Sequence, residues 1–339
     1  MVIEGNQRAF WLEVALAAVA SLFLYNFPLG FVLFLVPLQI VLVRRGEQAG
    51  FYAAAAWAVG LAGMRLIAGR DQALIDTSTN GVVVLVEISF LLALFAGLWL
   101  MQARQVSGYR RYQRLLIVAA AAGVIMLPGV LSAAASQQFL TGLQGIADAV
   151  TQGVREALEQ ADEPSSALAV EALNPQSFLR VAIDLLLRTY LVYVFALVGL
   201  SWWLGTQIGA RSLGRSSGIP RIAMFKIDSD LLWPLIGAWS LVLLDTLGAF
   251  DSVRFLRYLA WNAALTLLLL YGLQGFGIIQ ALLTKVGVSP VLKGLIFFGV
   301  LVLLMSPTVN VVLIVAVPGL GVSETWIDFG RFPKEDGKQ

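Results

Sequence analysis

The chain has 339 residues, 59% of them hydrophobic and 13% charged, and its 23 Lys and Arg nearly balance 21 Asp and Glu. That mix excludes an ordinary soluble domain, which cannot hide separate apolar runs of about twenty residues each in one core. Cysteine and histidine are absent. Disulfides, thiolate or imidazole catalysis, Cys/His zinc sites and iron–sulfur ligation are thereby excluded.

Apolar runs ended by Arg, Lys, Asp or Glu recur from one end to the other. They predict membrane-crossing helices at about 9–25, 28–43, 49–69, 81–103, 115–136, 178–208, 231–249, 258–284 and 291–317. Helix is the only admissible conformation, because lipid offers no partner to an open strand edge. The fold expected is all-α: a polytopic transmembrane bundle of about 8–9 spans. Only Arg8 is basic ahead of the first run, and Glu13 lies inside it. The first run therefore reads as an uncleaved span, with a signal peptide as the alternative. Asn26-Phe-Pro28 is a tight turn, so the first two runs form either two spans or a helical hairpin that does not fully cross.

Lys and Arg set the orientation. With the N-terminus in the cytoplasm, the inner segments carry Arg8; Arg44 and Arg45; Arg104, Arg110, Arg111 and Arg114; Arg211, Arg215, Arg221 and Lys226; Lys285 and Lys293. The outer segments before the tail carry Arg70, Arg155, Arg254 and Arg257. The last apolar stretch is interrupted at Met305-Ser-Pro307-Thr. An uninterrupted ninth span would put the tail outside, and a re-entrant bend there would return Arg331, Lys334 and Lys338 to the cytoplasm. The basic tail favours the second arrangement.

Four segments are expected: an N-terminal bundle over 1–136, an acidic extracytoplasmic segment over 137–177, a C-terminal bundle over 178–318, and a polar tail over 319–339. In the acidic segment Leu140, Leu143, Ile146, Val150, Val154 and Leu158 recur every three or four residues. That spacing predicts an amphipathic helix on the outer face. Gly60 with Gly63, and Gly205 with Gly209, are glycine pairs that serve packing rather than ligand binding, and the second has the spacing that lets two helices approach closely. No Walker motif and no basic patch with interleaved aromatics is present, so neither ATP hydrolysis by that route nor nucleic-acid binding is expected.

Charges inside spans are costly, about 2.5–3.5 kcal/mol at the centre on insertion scales, and so mark polar interiors. Glu13, Arg65, Glu87, Arg180, Asp184, Arg188 and Asp245 are such charges, with Asn262 and Gln274 as neutral counterparts. In the orientation above most of them fall in the outer halves of their spans, Gln274 nearer the middle. Arg180, Asp184 and Arg188 share one helix face and can satisfy one another. Glu87 and Asp245 have no basic neighbour one turn away and need a partner from another helix or a ligand. Arg65 is a candidate partner for Glu87, and Glu13 reads as an interfacial carboxylate. Candidate solute-binding residues are Arg65, Glu87, Arg188, Asp245, Asn262 and Gln274. The tryptophans read mainly as interfacial belts, with Trp261 beside Asn262 as a candidate pocket wall.

The last third carries Ile219-Pro-Arg-Ile-Ala-Met-Phe-Lys226, Leu231-Leu-Trp-Pro234, Asn262, Tyr271-Gly-Leu-Gln-Gly275, Gly319-Leu-Gly321, Trp326-Ile-Asp-Phe329 and Arg331. These motifs resemble the YybS-like family of bacterial multi-pass membrane proteins, which is distantly similar to the substrate-binding S subunits of energy-coupling-factor transporters. The resemblance implies an inner-membrane protein that captures a small molecule from outside, and that works with a transmembrane coupling subunit and separate ATPases. No cofactor and no catalysis are expected. Alternatives are a non-transporting membrane scaffold or regulatory protein, and an enzyme using Glu87 and Asp245 as paired carboxylates.

Overall fold

The structure, a computed structural model, describes residues 2–27, 30–71, 77–102, 109–135, 175–216, 222–250, 253–303 and 307–331, with isolated positions between 141 and 156. Every regular element among them is helical. The hydrophobic stripe expected at Leu140, Leu143, Ile146, Val150, Val154 and Leu158 lies outside the described residues. Three helical stretches among the described residues are long and apolar enough to cross a membrane: Gln7–Asn26, Leu179–Ser212 and Arg254–Lys285.

The chain forms two compact units, Met1–Ser217 and Gly218–Gln339. The boundaries expected at 136 and 178 both fall inside the first unit, where the helix that starts at Pro175 packs.

The N-terminal unit contains α1 (Val2–Asn26), a single 3-10 turn at Phe31–Leu33, α2 (Val36–Arg45), α3 (Glu47–Asp71), α4 (Thr77–Gln102), α5 (Arg111–Ala135) and α6 (Pro175–Ser212). The second apolar run is broken. At 10 residues α2 is about 15 Å long, half a bilayer core. It runs back along α1 only as far as Glu13, whose carboxylate binds Arg44 at 3.3 Å and Arg45 at 2.8 Å. Glu13 thus fastens the hairpin instead of standing alone at the interface. The hydrogen bond to Glu13 holds the Arg45 guanidinium above its usual pKa.

Small residues set the helix register. Gly205 of α6 lies against Gln39 and Val36 of α2, and Gly209 lies against Val43 and Ile40, so the two helices run parallel in close contact. Gln39, fully buried, donates to Thr206 across that contact at 3.0 Å. Gly97 of α4 meets Val118 of α5 and Val198 of α6. Gly199 meets Leu115, and Gly123 meets Leu191. That pairing makes α5 antiparallel to α6. Trp57 is only 1% exposed, stacked on Phe34 and edge-on to Tyr25. It belongs to the core and not to an interfacial belt.

The C-terminal unit contains α7 (Leu232–Thr246), α8 (Arg254–Lys285), α9 (Pro290–Leu303) and α10 (Pro307–Ser323), preceded by 3-10 turns at Ile222–Met224 and Ser229–Leu231. The described residues of the last apolar stretch lie in α9 and α10, on either side of 304–306. A Cβ on Gly275 would overlap the Val317 carbonyl, and one on Gly321 would overlap the Tyr271 carbonyl. The backbones of α8 and α10 therefore touch, which only glycine permits. Pro318 sits inside α10 against Gly272 and contributes no backbone donor there.

Candidate binding site

In the N-terminal unit, α3 and α4 present Arg65 and Glu87 to each other. Arg65 Nη2 donates to Glu87 Oε1 at 2.7 Å and its Nε donates to Oε2 at 3.1 Å, a bidentate pair. Tyr25, near the end of α1, donates its hydroxyl to Glu87 Oε1 at 2.6 Å. Its ring is held against Phe34 and Trp57. Three helices thus converge on one carboxylate. The Glu87 side chain is 16% exposed, while that of Arg65 keeps 44%. The cation presents an open face.

Arg188 pairs with Asp184 one turn earlier on α6, at 2.6 Å. Its height can be read from the helix contacts. The α4–α5 connection is short and α5 opposes α6, so α4 and α6 run parallel. Glu87 and Arg188 each precede the Gly97–Val198 contact by the same interval along their helices. They stand at one height, about 15 Å from that contact. The result is a band of Tyr25, Arg65, Glu87, Asp184 and Arg188 on four helices. Tyr25 was not among the expected residues. Its place as the last polar side chain of α1 before the Asn-Phe-Pro turn was the available signal.

Asp245, Asn262 and Gln274 belong to the C-terminal unit and have other employment. Arg257 Nε donates to Asp245 Oδ1 at 2.7 Å, and Trp261 Nε1 donates to Oδ2 at 3.0 Å, which closes the α7–α8 turn. Trp261 therefore holds a carboxylate rather than lining a pocket beside Asn262. Asn262 donates to the Tyr258 carbonyl of its own helix at 2.8 Å. Gln274 lies three turns further along α8, about 18 Å from Asn262. It accepts from the Ile227 amide at 2.7 Å and donates to the Gly321 carbonyl at 2.9 Å. The three do not form one cluster.

Gln274 is part of a larger knot. Arg331, its side chain fully enclosed, pairs with Glu324 through both nitrogens of one edge. It also donates to the carbonyls of Ala223 and Phe225 at 2.9 and 3.1 Å. Lys285 donates to the Phe329 carbonyl at 2.8 Å. Of the stretch expected as a polar tail over 319–339, the first residues finish α10, and 324–331 are tied to the loop before α7 and to the end of α8. The 223–227 loop, Gln274, Gly321 and Arg331 are joined here. A buried Arg beyond the last apolar run has no periodic signature, so its role was not legible in the sequence.

No family model, no curated protein and no solved structure matches the chain.

Proposed function

We propose that the chain is a multi-pass inner-membrane protein of 8–9 spans that captures a small solute in its N-terminal unit. In this reading the N-terminus is cytoplasmic, and Tyr25, Arg65, Glu87 and Arg188 lie toward the outer surface. One observation carries it: side chains from α1, α3 and α4 meet at a single carboxylate whose bound guanidinium is still half open. A guanidinium already oriented by Glu87 offers its free edge to a carboxylate or phosphate without a large reorganisation. The solute favoured is therefore a small anion. Transport would require a coupling subunit and ATPases supplied by other chains.

The test is thermal unfolding of the purified full chain across a panel of small anionic metabolites. A ligand that binds only the folded state raises the midpoint, by about 2.7 kcal/mol of stability at a hundred times its Kd. Loss of that rise in Arg65→Gln, with retention in Arg257→Gln, supports the site. A rise untouched by Arg65→Gln refutes it.

The scaffold reading is favoured by a different observation. Asp245, Gln274, Glu324 and Arg331 are consumed in fastening the C-terminal unit to itself, which suits a rigid face for a protein partner. Stable co-purification of a partner that is not an ATPase, with no ligand response in the panel, would select it.

A further inference from the structure

Residues 324–331 follow α10 without a helix of their own. Trp326 and Ile327 stand out from this segment, 71% and 53% exposed. The backbone that carries them is closed on itself. The Thr325 amide donates to the Val322 carbonyl at 3.0 Å, and the Trp326 and Ile327 amides both donate to the Ser323 carbonyl, at 3.0 and 2.9 Å. The Gly330 amide donates to Asp328 at 2.7 Å, and the Phe329 carbonyl accepts from Lys285 at 2.8 Å. Arg331, enclosed with Glu324, ties the end of the segment to the carbonyls of Ala223 and Phe225. Two large apolar side chains are therefore held outward on a fixed turn.

The depth of that turn follows from α8. The helix has 32 residues and is apolar enough to cross a membrane. Its length is about 48 Å, against about 40–45 Å for a bilayer with its headgroups, so its ends stand at headgroup level. Lys285 is its last residue, and the bond from Lys285 to Phe329 sets the turn beside that end. Lys293 donates to Thr284 at the same end, at 3.0 Å. Two ammonium groups, an indole and an aliphatic side chain thus share one level. Trp settles among headgroups, and Lys reaches from that depth to water. A backbone entering a water-poor layer must satisfy its amides internally, as this turn does at 325, 326, 327 and 330.

We propose that the turn at 325–328 is a membrane-interface anchor, with Trp326 and Ile327 seated among the headgroups and first methylenes of the leaflet at the end of α8. Asp328 is exposed beside them and keeps the far side of the turn in water, while its carboxylate holds the Gly330 amide. The occupant is a lipid surface whatever its headgroup charge, because an indole and an aliphatic side chain make the contact. The anchor rests on insertion of α8 into a bilayer and not on solute capture.

The experiment is fluorescence quenching of the full chain in phosphatidylcholine nanodiscs, with the Trp326 contribution taken as the native chain minus Trp326→Phe. Lipid brominated near the headgroup end of its acyl chains is expected to quench Trp326 several times more strongly than aqueous iodide does, and more strongly than lipid brominated near the methyl end. Ile327→Asp leaves the backbone bonds in place and is expected to reverse the order of lipid and iodide by drawing the turn into water; an unchanged order overturns the proposal. Trypsin resistance of the 222–226 loop in that variant reports that the Arg331 contacts persist. The Trp233 contribution, obtained in the same way with Trp233→Phe, reports on the bilayer itself, since Trp233 is 74% exposed on α7. Lipid quenching of Trp233 with Trp326 open to iodide overturns the anchor and leaves bilayer insertion standing. No lipid quenching at either position refutes insertion and the anchor together. Quenching of Trp326 by neither agent shows a protein partner on the turn and overturns the proposal as well.

Discussion

Glu87 of α4 accepts the Tyr25 hydroxyl and both donating nitrogens of Arg65 on one carboxylate, so its removal frees two groups from two other helices. Truncation by Glu87→Ala should lower unfolding stability by about 1–3 kcal/mol, the usual cost of stranding partly buried polar partners. Tyr25→Phe deletes one donor and should cost about 1 kcal/mol. A double-mutant cycle between Arg65 and Glu87, read by thermal unfolding in detergent, should give a coupling of about 0.5–1 kcal/mol, because the half-open guanidinium is partly screened. Additive single effects would mean that the pair does not form.

Gly275 and Gly321 bring two helix backbones into contact. A methyl at either position meets a carbonyl oxygen and not a flexible side chain. Gly275→Ala and Gly321→Ala should each destabilise the C-terminal unit by more than about 1–3 kcal/mol, the ordinary cost of overpacking. Gly294→Ala, where a Cβ meets open space, serves as the control and should be neutral or stabilising. Trypsin susceptibility of the purified variants distinguishes these outcomes.

Arg331 is enclosed together with Glu324. Removing one member of such a pair leaves a buried charge uncompensated, so Arg331→Met should cost about 3–5 kcal/mol and release the 222–226 loop to proteolysis. Adding Glu324→Leu should recover part of that loss, because the stranded carboxylate disappears with it. A double variant as unstable as the single one would show that the carbonyls of Ala223 and Phe225 are the dominant partners.

The knot also fixes sidedness within the C-terminal unit. The loop before α7, the end of α8 and residues 324–331 are joined by hydrogen bonds, while the α7–α8 turn closed by Asp245 lies at the other end. The absence of native cysteine makes single-cysteine scanning clean. Val286→Cys and Trp326→Cys, at positions 81% and 71% exposed, should react with an impermeant maleimide from the same side of sealed vesicles. Leu247→Cys, 74% exposed, should react from the opposite side. Labelling of Val286→Cys and Trp326→Cys from different sides would contradict the knot.

Much of this was legible in the residues. The pairing of Glu87 with Arg65, the Arg188–Asp184 contact one turn apart and the close approach at Gly205 and Gly209 follow from helix spacing and from the cost of leaving a charge unpaired. What was not legible followed from register between helices. Asp245 finds Arg257 across a turn, which no search one helical turn along its own span would reach. Gln274 had the composition of a ligand-binding residue, yet its amide bridges Ile227 and Gly321.

The sequence by itself determined the all-helical character and the stretches apolar enough to cross a membrane, because the length of an apolar run and the need to satisfy every backbone N–H and C=O are properties of the local chain. Only the tertiary structure decided which polar groups remain open. A guanidinium such as Arg65 and one such as Arg331 carry the same charge, and their difference lies in what other segments bring within hydrogen-bonding reach: a single carboxylate for the first, a carboxylate and two carbonyls that enclose the second.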